Sequence, residues 1–343
     1  MMTSGLRHYR HLLLALLGVY AAMILLSALD TQGQPLDPTK WRLGIPQFLV
    51  IERDDAWVFN DTNQINILKQ AAINLTLGVG MTFVILTGGI DLSVGSAVAL
   101  CNVVFVAVVQ SCRPSGPPTW GMVSVGLAAS LAVGLACGAG NGWLSVRLRI
   151  PSFIVTLATL LVIRGLAYWV SGGETELLAC TPTMASVIPI LVAIVAVAAG
   201  GLFLATTVAG RRVYAVGGNL LACEYSGVRT GRVRIMCFAF SGLCAGLAGM
   251  IYWSRVATGS YTAGEGFELY AIAAVVLGGT RLAGGEGSVV GTLIGALIMA
   301  VLANGLNTAN VHESTQKIIV GCVLVVAAYI DSRRSQGTTA VAM

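Results

Sequence analysis

The sequence predicts an all-α, polytopic membrane protein with about ten transmembrane helices in two parallel pseudo-repeats and both termini in the cytoplasm. Three features of the chain lead to this prediction: its composition, its long charge-poor runs and the distribution of its arginines. Of the 343 residues, 56% are hydrophobic and only 10% are charged, whereas soluble domains carry roughly 25% charged residues. A soluble protein of this size could not cover its surface with so few charges, so lipid must solvate most of it.

Ten charge-poor runs are candidate spans, because a membrane-crossing helix needs about 20 mostly apolar residues. The eighth of them is too short to cross a membrane as a helix by itself. The runs are 11–29, 70–88, 92–110, 120–145, 151–170, 185–208, 235–254, 267–280, 288–304 and 315–330.

Basic residues set the expected orientation, since the cytoplasmic loops of membrane proteins are enriched in arginine and lysine. With the N-terminus inside and ten crossings, the short outer loops hold three basic residues, Arg113, Arg255 and Lys317. The net charge of +5 is a topology signal dispersed between apolar runs, so no nucleic-acid partner is expected. Twelve arginines fall on the cytoplasmic side: Arg7, Arg10, Arg147, Arg149, Arg211, Arg212, Arg229, Arg232, Arg234, Arg281, Arg333 and Arg334.

A glycine-containing break joins the second and third runs. It contains Gly88, Gly89, Asp91 and Ser93, and Asp91 is the one charged residue between two long uncharged stretches. Apolar segments interrupted in this way are typical of the broken helices that line transport pathways. A tight turn in which Asp91 caps the following helix is the alternative interpretation, and both can hold together.

A similar break lies between the eighth and ninth runs. Each break follows an apolar run and contains an acidic residue near the Gly-Ser pair that starts the next run. Both breaks fall on the predicted cytoplasmic side with their flanking runs pointing the same way, which indicates two parallel halves with a pathway at their interface. The glycines of the second break are Gly278, Gly279, Gly284 and Gly285.

Two longer polar segments connect predicted spans. The first, 30–62, is predicted to be periplasmic and carries six of the 15 acidic residues. It is either a solvated connector or a docking surface for an outside partner. Two cysteines in predicted outer loops, Cys112 and Cys180, could form a disulfide.

The second polar segment, 210–234, is predicted to be cytoplasmic and holds five arginines. Within it, Asn219 would cap a short helix over 220–226, and Gly227 would end that helix. Such a helix could take up force from a soluble partner. Alternatively, the segment is an ordinary basic loop that lies on lipid headgroups.

Eight motifs occur in order along the chain: GMTFVILTGGIDLSVGS (80–96), PSFIVTLATLLVIRGLA (151–167), YAVGGN (214–219), SGV (226–228), SGLCAGLAGMI (241–251), TAGEGFEL (262–269), AIAAVVLGGTRLAGGEGSVVGTLIGALI (271–298) and NGLN (304–307). With these motifs the chain resembles one family, the membrane permease subunits of bacterial ATP-driven sugar importers of the ribose type, which also includes xylose, arabinose and galactose permeases. The resemblance covers nearly all of residues 63–331.

The resemblance implies a single transmembrane permease domain over 1–343, located in the bacterial inner membrane. It also implies four partners: ATP-binding cassette ATPase subunits, a second permease copy or paralogue, a periplasmic sugar-binding protein and membrane lipid. ATP and Mg would be bound by the ATPase subunit, so no cofactor is expected in this chain. The family's ATPase-coupling loop falls here on Gly217, Gly218, Asn219, Ala222, Ser226 and Gly227.

The chain departs from the resembled family in two places. Tyr270 stands where family members usually have an acidic residue, near the predicted outer mouth of the eighth span, and the first outer loop is longer than the family leads us to expect.

Arg164, in the family-like motif 151–167, is the one basic residue away from the ends of the predicted spans, where a charge costs about 2.5–3.5 kcal/mol on insertion scales. We expect Arg164 to pair with a carbonyl or a carboxylate, and Glu174 and Glu268 are both possible partners.

The function that follows is that of a transmembrane permease subunit of an ATP-driven importer, which forms the pathway for a monosaccharide delivered by a periplasmic binding protein. The chain is not expected to be an enzyme. It has no phosphate-binding loop ending in Gly-Lys-Ser/Thr and no metal-ligand or nucleophile pattern. An ion-coupled secondary transporter of a small polar solute is the alternative, although it would be expected to hold several intramembrane carboxylates. A sensory or scaffold membrane protein is a third possibility.

Overall fold

The computed structural model describes residues 2–26, 50–53, 56–59, 61–112, 117–309 and 311–339. Within them, four short strands form two antiparallel pairs: β1 (Val50–Arg53) with β2 (Ala56–Phe59), and β3 (Glu176–Leu177) with β4 (Thr258–Gly259). The same residues form twelve helices: α1 (Met2–Leu26), α2 (Asp61–Leu86), α3 (Val94–Ser111), α4 (Trp120–Leu148), α5 (Ser152–Ser171), α6 (Pro182–Thr206), α7 (Val208–Gly218), α8 (Leu220–Tyr225), α9 (Thr230–Val256), α10 (Phe267–Leu277), α11 (Val289–Thr308) and α12 (Glu313–Thr339).

The predicted helical membrane fold is confirmed, because each of the ten charge-poor runs lies largely within a helix. Counting only described residues, seven helices are long and apolar enough to cross a membrane: α2 to α6, α9 and α11. Two others, α10 and the 9–23 part of α1, are apolar but shorter. The count of ten crossings and the position of the termini stay predictions.

Two predicted elements differ in detail from the structure. The eighth run, 267–280, is a helix only as far as Leu277, and the ten residues before it are non-helical and lie beside α3. The 210–234 segment, predicted as a loop around one short helix, is largely helical, because α7 and the start of α9 flank that short helix. Amphipathic residues at the two ends of the 210–234 segment are helical, in α7 and at the start of α9. The predicted spans were limited to the apolar runs and so did not include these residues.

The long outer loop, 30–62, falls mostly outside the described residues, and so does the hypothesis that it is a docking surface. Its described part contains the β1–β2 hairpin and the start of α2. All eight cysteines are free thiols. The disulfide considered between Cys112 and Cys180 is therefore not formed.

Helices α2, α3, α9 and α11 form the buried centre of the bundle, whereas α4, α5 and α6 expose broad apolar faces. Helices α4 and α9 pack extensively against each other and meet along glycines spaced four residues apart. A Cβ on Gly134 would overlap the Gly242 carbonyl, and a Cβ on Gly242 would overlap the Gly134 carbonyl. Small residues permit this backbone-to-backbone packing, and such van der Waals packing is one of the forces that drive helix association in lipid.

Candidate functional site

The two predicted glycine breaks lie side by side, although nearly 200 residues separate them in the chain. The Gly285 N–H donates a hydrogen bond to the Leu86 carbonyl at 3.0 Å. A Cβ added to Gly284 would lie 2.9 Å from the Gly88 nitrogen. Gly284 also has φ +90°, a left-handed conformation that favours glycine. The first break therefore binds the second directly through backbone atoms.

The predicted coupling segment contacts this same point. A Cβ on Gly217 would overlap the Leu86 carbonyl oxygen and would lie 2.5 Å from the Gly285 nitrogen. On the other side, a Cβ on Gly285 would lie 2.9 Å from the nitrogen and Cα of Gly218. We call this meeting of 86–88, 217–218 and 284–285 the glycine junction. It brings together three sites that the sequence analysis identified separately.

The turn between α7 and α8 confirms the predicted capped helix. The Ala222 N–H donates to the Asn219 side-chain oxygen at 2.9 Å, so Asn219 caps α8. The helix ends at Tyr225, where the Ser226 hydroxyl donates to the Ala222 carbonyl at 2.8 Å. Gly227 follows with φ +77°. Asn219 ends α7 and starts α8, which fixes the angle between them.

The outer face of α8 carries apolar side chains with no covering in the described chain. Leu221 is 64% exposed and Tyr225 is 91% exposed. They are four residues apart and therefore lie on one face of the helix. On the opposite face, Cys223 is buried in the core cluster that also contains Val213 and Val216. The helix is thus attached to the bundle by one face and leaves the other face exposed.

The start of α5 holds the middle of the first break. The Ile90 N–H donates to the Ser152 hydroxyl oxygen at 3.1 Å, and the Thr156 hydroxyl lies 3.2 Å from the Ile90 carbonyl. Both backbone groups of Ile90 are therefore satisfied by side chains from another helix. The sequence analysis noted this stretch only as a family-like motif and did not anticipate this role for Ser152 and Thr156.

Asp91, within the first break, is only 2% exposed. One carboxylate oxygen accepts from the Ser93 N–H at 3.1 Å and the Ser93 hydroxyl at 2.7 Å, and the other accepts from the Ser241 hydroxyl at 3.1 Å. The Asn141 amide donates to the Ser93 hydroxyl oxygen at 2.7 Å. This network ties the break to α4 and α9 through fully engaged polar groups.

The expectation that Asp91 caps α3 is wrong in its strict form. The residue at the N-cap of α3 is Ser93, and its side chain makes no capping bond. Asp91 instead accepts from the Ser93 backbone and side chain, which shapes the turn before the helix. The role of Asp91 in a solute pathway stays a prediction.

The second break is closed by contact with α11. Gly278 ends α10, and a Cβ on it would lie 2.7 Å from the Thr292 nitrogen. Gly279 follows with φ +83°. The Arg281 guanidinium forms a 2.7 Å ion pair with Glu286 across the turn. Both predicted breaks are therefore tight, internally bonded turns at one end of the bundle.

Arg164 pairs with carbonyls, one of the two kinds of partner expected. Its guanidinium donates to the carbonyls of Tyr261 at 2.6 Å and Ala263 at 2.8 Å. From α3, Asn102 accepts from the Ser260 N–H at 2.8 Å and donates to the Thr258 carbonyl at 3.1 Å. These two side chains fix the non-helical segment 257–266 inside the bundle. Among the described residues, no group of three or more His, Cys, Asp or Glu side chains comes together as a metal site.

Comparison with known proteins agrees with the motifs. Residues 63–328 match the family model described as branched-chain amino acid transport system / permease component. No solved structure matches the chain.

Curated relatives match along most of their length. The chain is 39% identical over 288 residues to the ribose import permease protein RbsC of Escherichia coli (strain K12), which covers 80% of this chain and 87% of that protein. The same identity holds over 289 residues for RbsC of Bacillus subtilis (strain 168), covering 80% of this chain and 85% of the relative.

A third relative is the xylose transport system permease protein XylH of Escherichia coli (strain K12). It is 34% identical over 363 aligned positions, which cover 84% of this chain and 89% of XylH. The resemblance inferred from the motifs is confirmed. Because the family model spans most of the chain and these relatives align along most of theirs, the chain belongs to the branched-chain amino acid transport system / permease component family.

Proposed function

We propose that this chain is the membrane-spanning permease subunit of an ATP-driven importer and forms the pathway for a monosaccharide delivered by a periplasmic binding protein. It is a multi-pass protein of the bacterial inner membrane. Its relatives carry the names of ribose and xylose permeases, and the helices are apolar enough to span a bilayer repeatedly. The observation that carries the mechanism is the glycine junction, where the exposed α7–α8 turn touches both breaks.

The proposed topology has ten crossings, two parallel halves and both termini in the cytoplasm. Six helices precede α7, an even number that agrees with an inside N-terminus and an inside 210–234 segment. The contact of both breaks with Gly217 and Gly218 places them at the same end of the bundle. Breaks at one end, each followed by a helix running away from it, are what parallel repeats require.

We further propose that α8 receives a soluble ATPase subunit, which binds the ATP and Mg. The exposed Leu221 and Tyr225 offer an apolar contact, and the 210–234 segment that contains them holds five arginines. Motion of α8 would reach the breaks without an intermediate side chain, because the backbones of Gly217 and Gly285 are already in contact. A second permease copy or paralogue would complete the pathway.

The coupling assignment can be tested with Gly218→Trp. A Cβ at Gly218 has no heavy atom within 4 Å, so the indole would project outward and leave the bundle folded. We expect loss of both ATPase association and sugar uptake in membranes that contain the whole complex. Gly140→Trp is the matched control, since Gly140 is also a helical glycine with open space at its Cβ, and it lies in α4, outside the 210–234 segment. Normal uptake and ATPase stimulation in Gly218→Trp would remove the coupling assignment.

The solute class needs its own test, because the family description names amino acids whereas the named relatives carry ribose and xylose. Uptake of labelled ribose, xylose and leucine should be compared in vesicles with the ATPase and binding protein present. We expect import of a sugar that depends on ATP. Import driven by an ion gradient without the ATPase would favour an ion-coupled secondary transporter instead. Neither the relatives nor the single carboxylate in the first break supports that alternative.

A further inference from the structure

A cavity of about 590 Å³ opens at the end of the bundle away from the glycine junction. It lies between α2, α10 and α12, and its wall includes Gln70, Asn74, Arg255, Tyr270 and Gln316. Small-molecule sites in proteins typically measure about 300–1,000 Å³. The cavity is therefore large enough for a small solute.

The depth of the cavity follows from helix geometry. Residues 70 and 74 precede the first break at Leu86 by 16 and 12 positions. At a rise of about 1.5 Å per residue, they lie roughly 18–24 Å from the junction along α2. With the α7–α8 turn inside the cell, the cavity faces the outer half of the membrane. Arg255 and Lys317, which the arginine distribution placed outside, both line it.

The cavity wall contains an amide side chain from the centre of the bundle. Asn74 lines the cavity from α2, although the residue as a whole is only 6% exposed. Gln70 lies one turn before it on the same face of α2. These amides can be satisfied by a polar molecule inside the cavity.

The remaining lining indicates the chemistry of that molecule. Phe267 and Tyr270 supply aromatic surface, while the charged side chains cancel: Arg255 and Lys317 against Glu265 and Glu313. Lys317 and Glu313 are already paired at 2.9 Å. A neutral lining with amide donors, amide acceptors and aromatic faces suits an uncharged, hydroxyl-rich solute better than an ion.

We propose that this cavity is the outer binding position of a monosaccharide within this subunit, with the Asn74 amide and the Tyr270 ring both in its wall. The inference rests on the proposed function and extends it by placing the solute on specific residues. Tyr270 thereby gains a role as a sugar-facing aromatic group at a position where an acidic residue was expected from the resemblance.

Asn74→Leu tests the proposal in the complete complex of permease, ATPase and binding protein. With ribose or xylose as the probe and saturating binding protein, we expect import to fall about two- to tenfold, as for one lost hydrogen bond. ATP hydrolysis stimulated by the loaded binding protein should stay within about twofold, because α8 and the junction are untouched. A merely structural defect would lower both rates together. Asn66→Leu is the matched control, since Asn66 is an exposed asparagine two turns earlier on the same helix.

Labelling gives an independent readout. Asn74→Cys should react with a membrane-impermeant thiol reagent added outside, and the sugar that the complex imports should slow that reaction. Peptide mass spectrometry separates this site from the eight native cysteines. If the Asn74→Leu complex fails to assemble, the import rate of Gln70→Leu and the labelling of Asn74→Cys test the proposal in its place. Unchanged import per ATP in the leucine variants overturns the proposal, and so does absent labelling, which would mean that lipid or a second copy fills the cavity. A wild-type complex that imports no sugar at all would instead remove the proposed function.

Discussion

Replacing Gly217 with alanine is the sharpest perturbation of the glycine junction. Its new Cβ would overlap the Leu86 carbonyl and approach the Gly285 nitrogen. Both neighbours are backbone atoms, which cannot rotate away as a side chain would. The hydrogen bond from Gly285 to Leu86, 3.0 Å in the native junction, must therefore lengthen or break.

The expected loss of stability of the closed junction is the sum of three contributions. Overpacking destabilises it by about 1–3 kcal/mol, and loss of one hydrogen bond destabilises it by about 1 kcal/mol more. The higher helix propensity of alanine over glycine in α7 offsets up to about 1 kcal/mol of this. The net destabilisation of the closed junction is thus about 1–3 kcal/mol, which shifts the balance between closed and displaced junctions by roughly 5–150-fold.

Two measurements check this prediction. The thermal midpoint of the purified protein in detergent should fall by several degrees, and ATP hydrolysis should no longer respond to loaded binding protein. Gly218→Ala is the internal control, because its Cβ meets no heavy atom within 4 Å. If Gly217→Ala and Gly218→Ala behaved alike in both assays, the backbone contact would have no part in coupling.

Three further substitutions are expected to separate local from global effects. Asn219→Ala removes the cap of α8 at a cost of about 1 kcal/mol, so affinity for the ATPase should fall severalfold in a pull-down titration while the thermal midpoint changes little. Asp91→Ala leaves the hydroxyls of Ser93 and Ser241 without their acceptor and should destabilise the bundle by about 2–4 kcal/mol, measured by thermal unfolding; a milder loss is expected for Asp91→Asn, which keeps one oxygen. Arg164→Met strands two carbonyls that now accept charged hydrogen bonds, so a loss of about 3 kcal/mol is expected, and proteolysis within 257–266 should accelerate; unchanged cleavage would contradict the structural role.

Hydrophobic runs and the preferences of turn residues predicted those features of the fold that depend on short stretches of sequence. The positions of the helices follow from apolar runs, and the boundaries of α8 follow from Asn219 and Gly227, whose preferences act over a few residues. The two breaks were visible as glycines between charge-free runs. The short eighth run predicted a short helix, although α10 ends at Leu277, three residues before the end of that run.

Contacts between distant segments could not be read from one sequence. Nothing in the local pattern around Gly217 indicates that it meets Leu86, since glycine serves equally in turns, helix seams and lipid-facing positions. Ser152 and Thr156 resemble ordinary helix residues until the Ile90 backbone is placed beside them. Asn74 likewise gave no signal, because its importance depends on the cavity that α10 and α12 close around it.

The glycine seam between α4 and α9 constrains how the molecule can change shape. Because backbone contacts backbone along this seam, no side chain can rotate to absorb a displacement of one helix along the other. A shift by one position would drive a branched side chain such as Leu243 into the space that Gly242 leaves open. Helices α4 and α9 should therefore move together as one rigid body during each transport cycle. Bending should therefore occur at connections without such backbone packing, above all at the turn around Asn219 between α7 and α8. A crosslink between α4 and α9 should leave transport turnover intact, whereas a crosslink that makes the Asn219 turn rigid should stop it.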